Sequence, residues 1–235
     1  MKKISVLPFI FFVLLYSCID DTTPIAFKTK RISKPFDASI DISYDTVDGN
    51  NEIAQTINTV IENRIIESIG FEETYTTIED AAEAFNKEYV DFKNDFPDTE
   101  QLWELAIETE ITYKSKTLIS MAISTYSDKG GAHGNDAISL ININASTGEA
   151  YKNEDIVELN NDFKALAKSY FLKEIEDDSI EDYFFGEPFH LPANIGISDD
   201  GLIVLYNVYE IASYAQGYKE FTIPFSDVQP YLKVD

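Results

Sequence analysis

Between Trp103 and Asn144 apolar side chains recur at every second position, in three consecutive runs joined by short polar links. In the first run Trp103, Leu105, Ile107, Thr109 and Ile111 fall on one side, and Glu104, Glu108 and Glu110 on the other. Strict alternation of this kind marks a strand with one buried face. Lys114-Ser115-Lys116 then turns the chain into Leu118 to Tyr126, and a third run follows from Ala137 to Asn144. Three successive strands with short links form an antiparallel meander, whose apolar face must be covered by other elements.

The cover is expected from both flanks. Ile53, Ile57, Val60, Ile61, Ile65 and Ile69 sit at helical spacing after the turn and cap signal Asp48-Gly49-Asn50, and Gly70 closes that helix. Thr76-Thr77-Ile78-Glu79 reads as a capping box opening a second helix. Its stripe is Ile78, Ala81, Ala82, Phe85, Tyr89, Phe92 and Phe96, and Pro97 ends it. Ahead of both helices, Phe36 to Tyr44 alternates as a strand. Downstream, Ser146-Thr147-Gly148 is a turn, and Leu159, Phe163, Leu166, Ala167, Tyr170 and Phe171 make another helix. Asp199-Asp200-Gly201 is a hairpin turn between Ile195–Ser198 and Leu202–Tyr209, and Phe221 to Ile223 is a short strand before a final helical turn capped by Ser226. The class is α+β: an antiparallel sheet, built of the meander and a C-terminal hairpin, with helices packed on one face. Two sub-domains, 34–99 and 100–235, are expected to meet near residue 100.

Residues 1–17 read as a leader. Lys2 and Lys3 precede an apolar stretch from Ile4 to Leu15 that is too short to remain as a membrane span. It ends at Leu15-Tyr16-Ser17-Cys18, which resembles a lipobox, and Cys18 is the single cysteine of the chain. Acylation of Cys18 anchors a protein to a membrane through lipid alone and leaves no thiol for a disulfide or a nucleophile. Residues 18–33 are then a polar tether, and Asp20 and Asp21 resemble a surface-export signal of outer-membrane lipoproteins. The expected location is the cell envelope.

Charge narrows the partners. Asp and Glu number 42 against 18 Lys and Arg, a net charge of −24. Such a surface repels nucleic acid and draws basic partners at long range. Fourteen Tyr and sixteen Phe distinguish this chain from a disordered acidic tail.

Motifs for chemistry are lacking. The two histidines, His133 and His190, share no metal-ligand spacing, and no G-x-S-x-G or G-K-[ST] occurs. Acidic clusters at Asp45–Glu52 and Glu176–Asp178 do not follow the alternation of a calcium loop and read as solvated turns. The expectation is a non-enzyme with no cofactor and no metal. In "SDKGGAHGND", Gly130, Gly131 and Gly134 give the backbone freedom on either side of His133. The reading is a structural turn whose imidazole bonds to a backbone carbonyl and which borders a functional surface.

Two stretches carry a family resemblance. "YSDKGGAHGNDAISLININASTGE" and "FGEPFHLPANIGISDDGLIVLYNVYEIASYAQGYKEFTIPFSDVQPYL" resemble the RsiV-type extracytoplasmic domain, with G-G-A-H-G, an N-x-x-T-G turn, Y-x-I-A-x-Y-A-x-G and I-P-[FY] in order. The resemblance runs from about Trp103 to Leu232. It implies a non-catalytic domain that binds lysozyme, and similar domains accompany peptidoglycan deacetylase modules. Ser213 departs from the proline common in the family. Neither a sigma-binding segment nor a catalytic deacetylase domain is recognised in these residues, so neither role is expected to carry over. The partner expected is a basic, lysozyme-like glycan hydrolase, met as sensor, decoy or inhibitor. The alternatives are a cell-wall glycan, or a structural place in an envelope complex. Tyr209, Tyr214 and Tyr218 are the candidate contact residues, because tyrosine offers area and a hydroxyl at low entropic cost. Tyr214 and Tyr218 are expected in a loop beside the glycine-histidine turn, whereas Tyr209 shares the side of Leu205 and has a core reading as well.

Overall fold

The computed structural model describes residues 25–176 and 179–234. The leader expected at 1–17 and the lipid-attachment residue Cys18 lie outside the described residues, as do Asp177 and Asp178 of the acidic run. Strand β1 (Phe27–Arg31) pairs antiparallel with β2 (Ser39–Val47). The stretch expected as tether therefore holds an edge strand from Phe27 onward. Its alternating lysines, which read as linker, are the charges that protect an exposed sheet edge.

Strand β2 changes partner along its length. Ser39–Ile42 runs parallel to β3 (Glu104–Lys114), whereas Ser43–Val47 pairs with β1. Where β2 leaves β3, the Thr109 hydroxyl fills the gap and accepts the Asp45 N–H at 2.8 Å. A parallel pair needs a long crossover, and helices α1 (Glu52–Ser68) and α2 (Ile78–Asp95) supply it. Both helices begin one residue later than the sequence signals suggest. Asn51 caps α1 through the Ala54 N–H at 2.8 Å, and Thr77 caps α2 through the Asp80 N–H at 3.0 Å. Ile57, Ile61, Ile65, Ala81, Ala82 and Phe85 are buried as expected, but Ile53 and Phe96 at the helix ends are exposed.

Strands β4 (Leu118–Asp128), β5 (Asn135–Asn144) and β6 (Ala150–Tyr151) complete a six-stranded sheet in the order β1-β2-β3-β4-β5-β6. Helices α1 and α2 cover the face carrying Ile42, Leu105, Ile107, Ile119, Met121, Ile123, Ile141 and Ile143. That core draws from both sides of residue 100, so the sheet runs through the position where two sub-domains were expected to meet.

The opposite face receives a second sheet, β7 (Asn194–Ile197), β8 (Gly201–Tyr206) and β9 (Lys219–Pro224), antiparallel and in that order. The C-terminal hairpin thus forms its own layer rather than extending the meander. A buried polar knot joins the layers. Ser120 donates to Asn142 Oδ1 at 2.8 Å and accepts the Ile197 N–H at 2.9 Å, while Asn142 Nδ2 donates to the Ile195 carbonyl at 2.7 Å. Each of these groups finds a partner, as burial demands. Two short helices, α3 (Asn153–Ile156) and α5 (Phe225–Val228), flank the second core. The longer α4 (Asn161–Glu174) lays Phe163, Ala167 and Phe171 into that core, against the second sheet. The layers run helices, sheet, sheet, helix. The α+β class holds, and its helices divide between two sheets.

Candidate functional site

The loop between β4 and β5 is held at several points. The Asp128 side chain accepts the Gly130 N–H at 2.7 Å, and Gln101 Nε2 donates to the Gly130 carbonyl at 2.9 Å. Lys129 pairs with Glu88 on α2 at 2.7 Å, its ammonium lying over the rings of Phe71, Phe85 and Trp103. The glycines serve different needs. Gly130 has φ +76°, in the left-handed region that favours glycine. Gly134 is set by contact, because a Cβ there would lie 2.5 Å from Cε2 and Cζ of Tyr126 and push the outer end of that ring aside. Gly131 shows neither constraint.

His133 lies on the surface of this loop. Its Nδ1 is 2.8 Å from the carbonyl oxygen of Gly134, so Nδ1 carries the proton and donates, since a carbonyl only accepts. The Tyr209 hydroxyl lies 3.4 Å from Nε2. The imidazole stacks on Tyr214 at a centroid distance of 3.7 Å and an interplanar angle of 20°. Tyr209 is tilted against Tyr214 at 5.8 Å. The structure thus brings His133, Tyr209 and Tyr214 into one ledge. Strand β8 ends at Tyr206, so Tyr209 does not share the core side of Leu205. It sits in a turn with φ +67° and is 53% exposed. Tyr218 is also exposed, and its ring stands apart from the other three. His190, the second histidine, packs edge-on against Phe184 at 5.2 Å.

Beside the ledge lies a cleft of about 810 Å³. Its floor is the outer face of the first sheet where the second sheet no longer covers it, and its wall is formed by Asn207, Val208 and the loop from Tyr214 to Tyr218. Asn207 pins that wall to the free edge of β5. Its side-chain amide accepts the Ile138 N–H at 2.8 Å and donates to the Ile138 carbonyl at 2.9 Å, standing in for a neighbouring strand. One row of cross-strand neighbours crosses the floor: Asp41 opposite Ala106, Ala106 opposite Tyr126, and Tyr126 opposite Asp136. Glu108 lies one step along β3 on the same face, and Arg31 is the single cation of the lining. The Tyr126 phenol is held above its ordinary pKa, first by desolvation and then by the negative fields of Asp128, Glu104 and Asp136, with Tyr214 adding to them.

Sequence reasoning identified Gly130, His133, Gly134, Tyr209, Tyr214 and Tyr218 but not Tyr126, Asp41, Glu108 or Asp136. The alternation that put Glu104 and Glu108 on one face of β3 was the signal that the floor is acidic. Nothing local ties Asp41 to Asp136. Among the described residues no three His, Cys, Asp or Glu side chains gather as a metal site, and no helix is long and apolar enough to cross a membrane.

Residues 36–136 match the family model described as deacetylase PdaC, and residues 143–226 match the model of a protein family of unknown function, DUF3298. The two matches meet within β5. None of the curated proteins matches. A crystal structure of a DUF3298 family member from Bacteroides fragilis superposes with a TM-score of 0.67 at 18% identity, over 88% of this chain and 93% of that one. A DUF3298 family protein from Pseudomonas aeruginosa gives 0.63 at 15%, over 90% and 95%. This chain therefore carries a PdaC-like first half and a DUF3298-like second half, on a fold that it shares with the DUF3298 structures.

Proposed function

We propose that this protein is a non-catalytic, RsiV-type envelope domain that binds a basic, lysozyme-like glycan hydrolase. The observation that supports the reading is the exposed ledge of His133, Tyr209 and Tyr214 at the lip of an acidic cleft. Aromatic rings fixed by stacking lose little entropy on binding, and a negative rim accelerates encounter with a positive partner. A lipid anchor at Cys18 would hold this surface in the cell envelope.

The test is surface plasmon resonance of the full chain with a c-type lysozyme at low and high salt. Binding that weakens steeply with salt is expected. Tyr214→Ala, in a protein with unchanged circular dichroism, should weaken it by about 1–3 kcal/mol, mainly through faster dissociation. Charge reversals at Glu79 and Asp95 on α2 should slow association modestly and leave dissociation nearly unchanged. No binding to any class of lysozyme refutes the partner. Unchanged dissociation in Tyr214→Ala refutes the site. Salt-insensitive binding that peptidoglycan fragments displace would favour a glycan module instead.

A further inference from the structure

The floor of the cleft has a gap of defined width. In the row Asp41–Ala106–Tyr126–Asp136 the small side chain of Ala106 separates Tyr126 from Asp41 across two strand spacings, about 10 Å. Tyr126 forms one wall of this slot. The Gly134 backbone lies so close beneath that ring that no Cβ fits between them. Tyr214 and Tyr218 stand on the loop side, and Glu108 lies on the same floor beyond Ala106.

Electrostatically the slot is unbalanced. Glu108 and Asp136 have no ion-pair partner among the described residues. Asp41 has only Arg31 at 3.7 Å, in an exposed pair that solvent screens. Three carboxylates and three tyrosines therefore face a space with one cation on its rim. A planar cation is the group that satisfies both kinds of wall, since it stacks on a ring face while its edge donates to carboxylates. An ammonium would offer a point charge without the stacking plane.

We propose that this slot is a guanidinium-binding site, which receives an arginine side chain presented by a basic protein partner. The identity of that partner rests on the function proposed above, whereas the chemistry of the slot does not. The guanidinium would lie over Ala106 against Tyr126, with Asp41 and Glu108 accepting its N–H groups and Tyr218 closing the open side.

Calorimetric titration of the full chain with hexa-arginine, hexa-lysine and hexa-citrulline peptides tests it. Hexa-arginine is expected to bind several-fold tighter than hexa-lysine, and hexa-citrulline not measurably. Glu108→Gln with Asp41→Asn should weaken hexa-arginine by tenfold or more. Glu79→Gln with Asp95→Asn, an equal change of net charge on α2, should leave it within about twofold. Tyr218→Leu keeps bulk but loses the π face, and should narrow the arginine-to-lysine ratio. Equal weakening by the two neutralised pairs, or tight binding of the citrulline peptide, would overturn the proposal. So would stronger binding of a glucosamine oligomer that the same cleft variants abolish. The lysozyme experiment separates the two readings. Arginine-peptide binding at the slot without lysozyme binding supports the slot and removes the partner. Lysozyme binding that ignores Glu108→Gln with Asp41→Asn keeps the partner and overturns the slot.

Discussion

Replacing Gly134 by alanine tests whether the glycine-histidine loop is a template for the tyrosines above it. On the native backbone the new methyl would stand 2.5 Å from Cε2 and Cζ of Tyr126. Carbon atoms rest about 3.5–4.0 Å apart, so the ring must give way by roughly an ångström or the loop must lift. Gly134 is buried and Tyr126 half-buried, with the cleft beyond the ring, so relief comes by swinging the tyrosine into the slot. Overpacking costs about 1–3 kcal/mol, and the low end applies here because the obstacle is the outer end of one side chain with open space beyond it. In a fold of this size each kcal/mol lowers Tm by roughly 2–4 °C, so a fall of a few degrees is expected by thermal circular dichroism. A double-mutant cycle isolates the cause. In a Tyr126→Ala background the obstructing ring is gone, and Gly134→Ala should cost little more, a coupling of about 1 kcal/mol between the two sites. Gly134→Ala should also weaken hexa-arginine binding although it touches neither carboxylate. Strictly additive costs, or a wild-type Tm in the single variant, would refute the template argument.

Four further substitutions probe the scaffold. Phe184 and Phe185 both have left-handed backbones, φ +63° and +51°, but Phe184 is buried and Phe185 is 68% exposed. Phe185→Gly should therefore leave Tm unchanged or raise it slightly, since it relieves about 1 kcal/mol of strain, while Phe184→Gly should lower stability by about 3–5 kcal/mol. A marked fall in Phe185→Gly would show that the exposed ring packs in solution. Burial first, and then Glu174 and Glu110, push the Glu220 carboxyl above its ordinary value. The folded state therefore holds that proton more tightly, and this contribution to stability is present at acid pH and lost as pH rises through the raised value. Glu220→Gln should raise Tm at pH 7 and not at about pH 3.5, and a gain equal at both would refute the assignment. Asn207→Ala removes both partners of Ile138 on the β5 edge, at a cost of about 1–3 kcal/mol, and should speed hydrogen exchange of the Ile138 amide. Unchanged exchange would mean that the wall is pinned elsewhere.

What the sequence made legible was periodic, and what it hid was long-range. The alternation from Trp103 to Asn144 yields β3, β4 and β5 almost to the residue, because each strand meets the helices on one face and keeps polar groups on the other. The same reasoning assumed that the polar face meets water, and there it failed. Ser120 and Asn142 lie on that face and are buried, because a second sheet lands on them through hydrogen bonds, with apolar contact beside them at Leu118 and Tyr113. Two short hydroxyl and amide side chains carry no periodic signature of such a meeting. The parallel pairing of β2 with β3 was equally hidden, since the 61 residues between Ile42 and Glu104 return the chain beside its start only through the packing of α1 and α2. That one pairing is what brings Asp41 into line with Tyr126 and Asp136. The histidine and tyrosines were found by chemistry alone: a loop rich in glycine, and tyrosines flanked by Ser213, Gln216 and Gly217. Their meeting required that β8 stop at Tyr206 and that Asn207 turn back to the edge of β5. The slot is thus assembled by the crossover on one side and the return loop on the other, and a change in either should alter arginine binding without altering any residue of the floor.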